Sequence, residues 1–122
     1  LRIIGTCRTF PIRVANRYDE AGKMVGFSGP AYLDQTETTF EAIGQKTELT
    51  TVTKLPRRIF TFSPMQVRMA VKQCGIEEVF LNFCNYLPDG YQKIVDEINS
   101  LPNCRVRWLG FGPSVNDVVE LY

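Results

Sequence analysis

Thr50-Thr51-Val52-Thr53-Lys54-Leu55-Pro56-Arg57-Arg58 places three threonine hydroxyls and three cations within nine residues. Hydroxyl and amide donors grip the oxygens of carboxylates and phosphates, and arginine pairs with them through two parallel N–H bonds. A hairpin with exposed threonines and solvated charges has the same pattern, so spacing leaves both readings open. Asn82-Phe83-Cys84-Asn85 sets an aromatic ring among amides. Such a set holds a nucleobase by stacking and by hydrogen bonds to its edge, and a buried phenylalanine between turn asparagines fits it too. Gly110-Phe111-Gly112-Pro113-Ser114 lets a ligand approach the backbone, with the free N–H groups of an expected helix just beyond it. Ordinary strand-to-helix turns also look like this. Arg8-Thr9-Phe10-Pro11-Ile12-Arg13-Val14 carries two arginines that either serve anions or stand as strand-edge charges.

Other chemistries are excluded by what the chain lacks. It has no histidine, so no Ser-His or Cys-His pair and no His-ligated metal can form within it. Lys plus Arg is 14 and Asp plus Glu is 13, a formal net charge of +1. That balance, without an aromatic-plus-basic stripe, is not the footprint of a nucleic-acid binder. No apolar run reaches the length of a membrane span. The cysteines, Cys7, Cys74, Cys84 and Cys104, form no CxxC pair. With no leader-like opening, we expect reduced, mostly buried thiols in a cytoplasmic protein. Leu1 stands in place of Met and Leu-Arg-Ile-Ile reads as a strand in progress, so a segment of a longer polypeptide, or a processed product, is expected.

The elements that position these stretches follow from periodicity. At 122 residues the chain has the size of one domain. Arg2 to Val14 is β-branched and aromatic and predicts one or two strands broken at Gly5. Ala15 to Lys46 is polar and glycine-rich, predicting a long functional loop with one helical turn at Thr38 to Ile43. Thr47 to Ser63 is strand-like, interrupted at Lys54-Leu55-Pro56. Ser63 then caps a helix with Pro64 at its first position and Gly75 beyond its end. Glu78 to Phe83 predicts a strand, Asp89 to Leu101 a helix, Arg105 to Phe111 a strand, and Val115 to Leu121 a terminal helix. Strand-helix-strand implies a parallel pair, whose carboxyl ends are the usual place for a ligand.

Taken in order, these stretches resemble the carboxyl-terminal part of the adenylosuccinate synthetase family. The counterparts are Arg8 to Val14, Gly29-Pro30, Thr50 to Arg58, Val67 to Val71, Asn82 to Asn85 and Gly110 to Pro113. The resemblance covers nearly the whole chain. It implies an α/β fold: residues 1–122 as the C-terminal portion of a P-loop-like domain, a mainly parallel sheet with flanking helices and a long loop. It implies a carbon–nitrogen ligase in two steps. A nucleoside triphosphate phosphorylates the purine 6-oxygen, and the amine of L-aspartate then displaces that phosphate. The catalytic residues and the Mg2+ site belong to an amino-terminal part outside this segment, and family members are homodimers.

The resemblance assigns Thr51, Val52, Thr53, Arg57 and Arg58 to L-aspartate, and Arg13, Val14 and Ala15 to the purine nucleotide. It assigns Arg57, Asn82, Phe83, Asn85, Gly110, Phe111, Gly112 and Pro113 to the nucleoside triphosphate. Two departures refine it. Lys54 and Leu55 replace a Gly-Arg pair whose arginine reaches the ribose hydroxyl, so a 2′-deoxynucleotide is expected. Phe83 and Asn85 replace the lysine and aspartate of a guanine site. Asn both donates and accepts, which suits the N1 and N6 edge of adenine. Together they point to the phage branch of the family: dGMP, L-aspartate and ATP or dATP give 2-amino-2′-deoxyadenylosuccinate. The alternatives are an archaeal-like enzyme using IMP and GTP, and a non-catalytic nucleotide-binding or dimerisation module.

Overall fold

The computed structural model describes residues 1–122. In chain order its strands are β1 (Ile4–Arg8), β2 (Ile12–Arg13), β3 (Arg17–Tyr18), β4 (Met24–Gly26), β5 (Glu37–Thr38) and β6 (Arg58–Phe60). Helix α1 (Pro64–Cys74), β7 (Glu78–Asn82), α2 (Tyr91–Asn99), β8 (Arg105–Gly110) and β9 (Val118–Glu120) follow. The main sheet has the order β1-β7-β8-β9. Its first three strands are parallel, with Ile4 opposite Glu78 and Leu81 opposite Leu109. β9 closes the edge antiparallel to β8. A second sheet, β2-β6-β5, and a β3-β4 hairpin are antiparallel.

The two cores divide the same way. The apolar face of α2, Ile94, Val95 and Ile98, packs on Val79, Leu81, Val106 and Leu109 of the parallel strands. Val67 and Val71 bring α1 onto that cluster. Phe10, Phe40 and Ile59 form a smaller core under the second sheet. Helix α1 begins and ends as its sequence dictates. The Ser63 hydroxyl accepts the Gln66 N–H at 3.0 Å, Pro64 opens the first turn, and Gly75 donates back to the Val71 carbonyl at 2.9 Å. At the start of β7, the Glu78 carboxylate takes Arg107 at 2.9 Å and Arg2 at 3.3 Å, tying three parallel strands at one end.

Several expectations are corrected. The expected terminal helix is a three-residue helical turn, Val115–Asp117, followed by β9. Ser114 and Asp117 cap each other across that turn. The short valine-rich tail is too short and too β-branched to nucleate a helix, and it pairs with β8 instead. β1 runs through Gly5, where Ile76 packs in the space a side chain would fill. The chain breaks later, at Thr9 to Pro11. The long loop Ala15 to Lys46 contains β3, β4 and β5. The helix expected over Asp89 to Leu101 is confined to Tyr91–Asn99, because Asp89 and Gly90 form a turn. Thr51 to Thr53 is a turn, leaving only Arg58–Phe60 and a Leu49–Pro56 bridge as strand structure there.

All four cysteines are free thiols. Cys84 and Cys104 are buried, Cys7 is half-buried and Cys74 is exposed. Burial pushes the Cys7 thiol up to about 12 and Cys84 up to about 11. Neither is a nucleophile at neutral pH. No helix is long and apolar enough to cross a membrane.

Candidate functional site

The threonine-rich stretch forms the tip of a hairpin. Its stem closes through the Arg57 N–H to the Glu48 carbonyl at 2.9 Å and the Thr50 N–H to the Leu55 carbonyl at 2.8 Å. The Thr50 hydroxyl accepts the Leu55 N–H at 3.0 Å and meets the Thr53 hydroxyl at 2.5 Å. Lys54 takes a left-handed φ of 56° to complete the turn. Thr50 is therefore spent on holding the loop. The N–H groups of Thr51, Val52 and Thr53 donate to no group within the chain, and neither does the Thr51 hydroxyl. Three consecutive free amides and a hydroxyl are a receptor for a carboxylate. The Val52 side chain at their centre is 90% exposed.

The two arginines after this loop are used differently. Arg57 donates through Nε to the Leu49 carbonyl at 3.3 Å, and its two terminal nitrogens are free. Arg58 is fully occupied. It holds the Glu37 carboxylate at 3.0 and 2.8 Å, the Ser28 hydroxyl at 2.8 Å and the Gly29 carbonyl at 2.7 Å. Its side chain is 9% exposed. Hydrogen bonding to Arg58 holds the Glu37 carboxyl below its ordinary range, and the same pairing raises Arg58. Arg13 reaches back to the Ser28 carbonyl at 3.3 Å. Together these two arginines fasten the Gly29-Pro30 loop against β6.

A groove of about 390 Å³ is lined by Val14, Ala15, Thr51, Val52, Thr53, Leu55 and Arg57. The structure thus gathers residues distant in sequence around one space. Ala15, Leu55 and Arg57 also line an adjoining groove of about 630 Å³ that reaches Asn16, Tyr18, Glu37 and Arg58. Leu55 contributes an apolar wall to both, where a longer polar side chain would contribute a donor.

A second candidate region is the corner where β7 and β8 end, whose residues line neither groove. Phe83 leaves β7 with a left-handed φ of 61°, a strained setting for an aromatic residue. Its neighbours hold it there. The Thr9 hydroxyl donates to the Phe83 carbonyl at 2.6 Å, and the Asn82 side-chain oxygen accepts the Phe83 N–H at 2.8 Å. The Asn82 amide lies so close over Gly110 that any Cβ there would collide with it. The Asn85 side chain is exposed and makes no hydrogen bond within the chain. Phe111 packs edge-on against Tyr91 with ring centroids 5.3 Å apart. Of the N–H donors expected to be free beyond Pro113, those of Ser114, Asn116 and Asp117 are taken. Asp117 takes the Ser114 N–H at 3.0 Å and the Phe111 N–H at 2.9 Å, and the Ser114 hydroxyl takes that of Asn116.

Glu48, Glu37, Tyr86 and Asp117 organise the site, and the sequence reading did not single them out. Glu48, Glu37 and Tyr86 act through partners far away in the chain, which no local pattern marks, whereas the Ser114-x-x-Asp117 spacing is a local capping signal. Tyr86 is raised by burial and by the adjacent Glu48 charge, so it remains a neutral donor. No group of three or more His, Cys, Asp or Glu side chains converges in the chain.

No family model matches the chain. The N6-succino-2-amino-2′-deoxyadenylate synthase of Acinetobacter phage SH-Ab 15497 is 52% identical over 115 residues, covering 93% of this chain and 30% of the relative. The enzyme of the same name from Cyanophage S-2L is 50% identical over 119 residues, covering 96% of this chain and 32% of the relative. That of Vibrio phage phiVC8 is 49% identical over 123 residues, covering 96% of this chain and 33% of the relative. This chain is a homologue of part of these phage synthases. It spans about a third of the length of the curated relatives it matches. The solved structure of the Cyanophage S-2L succinoaminodeoxyadenylate synthetase, bound to dGMP and to dATP as an energy donor, superposes with a TM-score of 0.86. The two are 50% identical, and the match covers 98% of this chain and 33% of that one. Its agreement extends to the fold: a mixed α/β segment with a parallel-dominated sheet and two helices.

Proposed function

We propose that these residues are the C-terminal part of a ligase that joins L-aspartate to dGMP with consumption of ATP or dATP, giving 2-amino-2′-deoxyadenylosuccinate. The observation that carries this reading is the match, at half identity and over nearly the whole chain, to a phage synthetase solved with dGMP and dATP. On this reading residues 1–122 complete a P-loop-like domain whose remainder supplies the catalytic residues and the Mg2+ ligands.

In the proposed reaction the γ-phosphoryl group passes to the purine 6-oxygen. The amine of aspartate then attacks C6, and inorganic phosphate leaves with that oxygen. The chain's own residues bind and orient. The free amides of Thr51, Val52 and Thr53 and the free guanidinium end of Arg57 receive the two aspartate carboxylates. Val14 and Ala15 lie along the acceptor nucleotide, and the apolar Leu55 faces a sugar without a 2′-hydroxyl. Arg57 also reaches the triphosphate. Asn82, Phe83, Asn85 and the Gly110 to Pro113 turn receive its adenine base, with Asn85 on the N1 and N6 edge. Arg58 and Arg13 contribute by fixing the loop beside these ligands. The exposure of Val52 leaves one side of the aspartate loop for another surface to cover, consistent with a homodimer. The four free thiols fit the reducing cytoplasm of a host cell.

The test is an assay of the full polypeptide that carries these residues, with dGMP or IMP as acceptor and ATP, dATP or GTP as donor. The product is read by mass spectrometry. Aspartate incorporation into dGMP with an adenine donor is the expected result. Turnover of IMP with GTP would replace this reading with the archaeal-like one, and absence of turnover with tight nucleotide binding would favour the non-catalytic module.

A further inference from the structure

We propose that Arg8 is a positioning residue for the nucleoside triphosphate: it stacks on one face of the Phe83 ring and presents the other face to the base. The proposal rests on the reading above that the base lies at Phe83.

The Arg8 guanidinium carbon lies 3.7 Å from the centroid of the Phe83 ring. That is a face-on cation–π contact, well inside the range in which such contacts act. Arg8 is not itself an anion receptor, because both terminal nitrogens are taken by the Glu48 carboxylate, at 3.2 and 2.6 Å. Its Nε is buried without a hydrogen-bond partner, and its side chain is only 17% exposed. The Tyr86 hydroxyl donates to Glu48 at 3.4 Å, and the Tyr86 and Phe83 rings are inclined at 64° with centroids 5.0 Å apart. Arg8 therefore covers one face of Phe83, Tyr86 packs against the ring, and both side chains are themselves held in place by Glu48. Thr9 and Asn82 fix its backbone. The ring is nonetheless only half-buried, so it keeps accessible surface.

The chemistry favours a purine there. A cation under one face of an aromatic ring draws electron density from it, and the opposite face then stacks well on an electron-rich base. Glu48 neutralises the cation, so the corner gains this polarisation without a net charge that would attract phosphate to the wrong end. A planar guanidinium stacks on the ring while holding a carboxylate with two bonds. A lysine ammonium holds the carboxylate but does not stack.

The experiment compares Arg8→Lys, Arg8→Met and Phe83→Leu in the full polypeptide. It measures KM for ATP, kcat, and inhibition by inorganic tripolyphosphate, which carries the charge without the base. Both Arg8 variants are expected to raise KM for ATP by about three- to tenfold, the range a cation–π contact supports, with a smaller change in kcat and unaltered tripolyphosphate inhibition. Arg8→Lys preserves the ion pair with Glu48, so it guards against a loss of folding. Equal weakening of ATP and tripolyphosphate would overturn the proposal in favour of a general structural role. A raised KM in Phe83→Leu with no change in either Arg8 variant would overturn it for Arg8 while leaving the base at Phe83. No change in any of the three would remove the base from Phe83, and the proposal with it.

Discussion

The Thr50 to Lys54 loop and the Asn82 to Asn85 corner are built on opposite terms. The loop leaves three backbone amides, a hydroxyl and most of a guanidinium unpaired and open to water. At the corner, the backbone of Phe83 is tied on both sides and its ring is packed by Arg8 and Tyr86. In the proposed function the open donors suit a small, flexible ligand with two carboxylates, such as aspartate, and the fixed ring suits a rigid aromatic base. The loop's donors lose water only when ligand arrives, so they cost the free protein nothing. The strain at Phe83 must be carried at all times by the sheet beneath it.

That contrast predicts where substitutions act. Leu81→Ala, under the corner, is expected to destabilise the fold by about 3 kcal/mol, because Leu81 is completely buried between the sheet and α2. Urea denaturation measures it. Arg58→Ala is expected to cost about 2 kcal/mol in the same experiment, since it strands the Ser28 and Gly29 loop and the Glu37 carboxylate. Arg57→Ala should leave stability within about 0.5 kcal/mol while raising KM for aspartate at least tenfold. Equal stability losses for the two arginines would break the contrast between a shaped and an open site.

Thr9→Val removes the hydroxyl that holds the Phe83 carbonyl, at a cost of about 1–2 kcal/mol, with a larger effect on ATP than on aspartate binding. Acid acts on the sheet more than on the loop. Hydrogen bonding to Arg107 and Arg2 holds Glu78 below its ordinary value. Its contribution is therefore complete at neutral pH and is lost as pH falls through the acid range below 4.5, where the folded protein takes up its proton last. Glu78→Gln should flatten that acid limb in a pH series of melting temperatures. The smallest effect belongs to Thr51→Val. It leaves stability unchanged within about 0.5 kcal/mol and weakens aspartate several-fold.

What was legible in the sequence follows the same division. Helix α1 could be read from Ser63, Pro64 and Gly75 alone, because a cap is a local contract between neighbouring residues. The β7-α2-β8 unit was visible because Ile94, Val95 and Ile98 recur at helical spacing between two apolar runs. The tail after Pro113 was misread because a valine stripe fits a helix face and a strand equally, and only β8 decides between them. The donors of Thr51 to Thr53 were visible in the sequence, but within a strand pattern, and only the structure shows them in a turn and gathers them with Val14, Ala15, Leu55 and Arg57. The different fates of Arg57 and Arg58 were not foreseeable, since Glu37 and Ser28 lie 21 and 30 residues from Arg58 in the chain. Arg8 was left undecided between anion and edge charge, and the structure gives it a third use, on an aromatic ring.

The parallel pairing of β1 with β7 bears on how the chain assembles as it is made. The ion pair from Arg2 to Glu78, at one end of that pairing, spans 76 residues. At ordinary rates of synthesis, β1 waits roughly 4–15 s after its own emergence before the strand it pairs with exists. During that interval the second sheet, whose strands are all closer together in the chain, can already be complete. The open Thr50 to Lys54 loop is thus expected to form before the sheet that carries the corner, and a nascent chain stalled at the end of α2, with β6 outside the ribosomal exit tunnel and β7 still inside it, should protect β2 and β6 from proteolysis while leaving β1 cleavable.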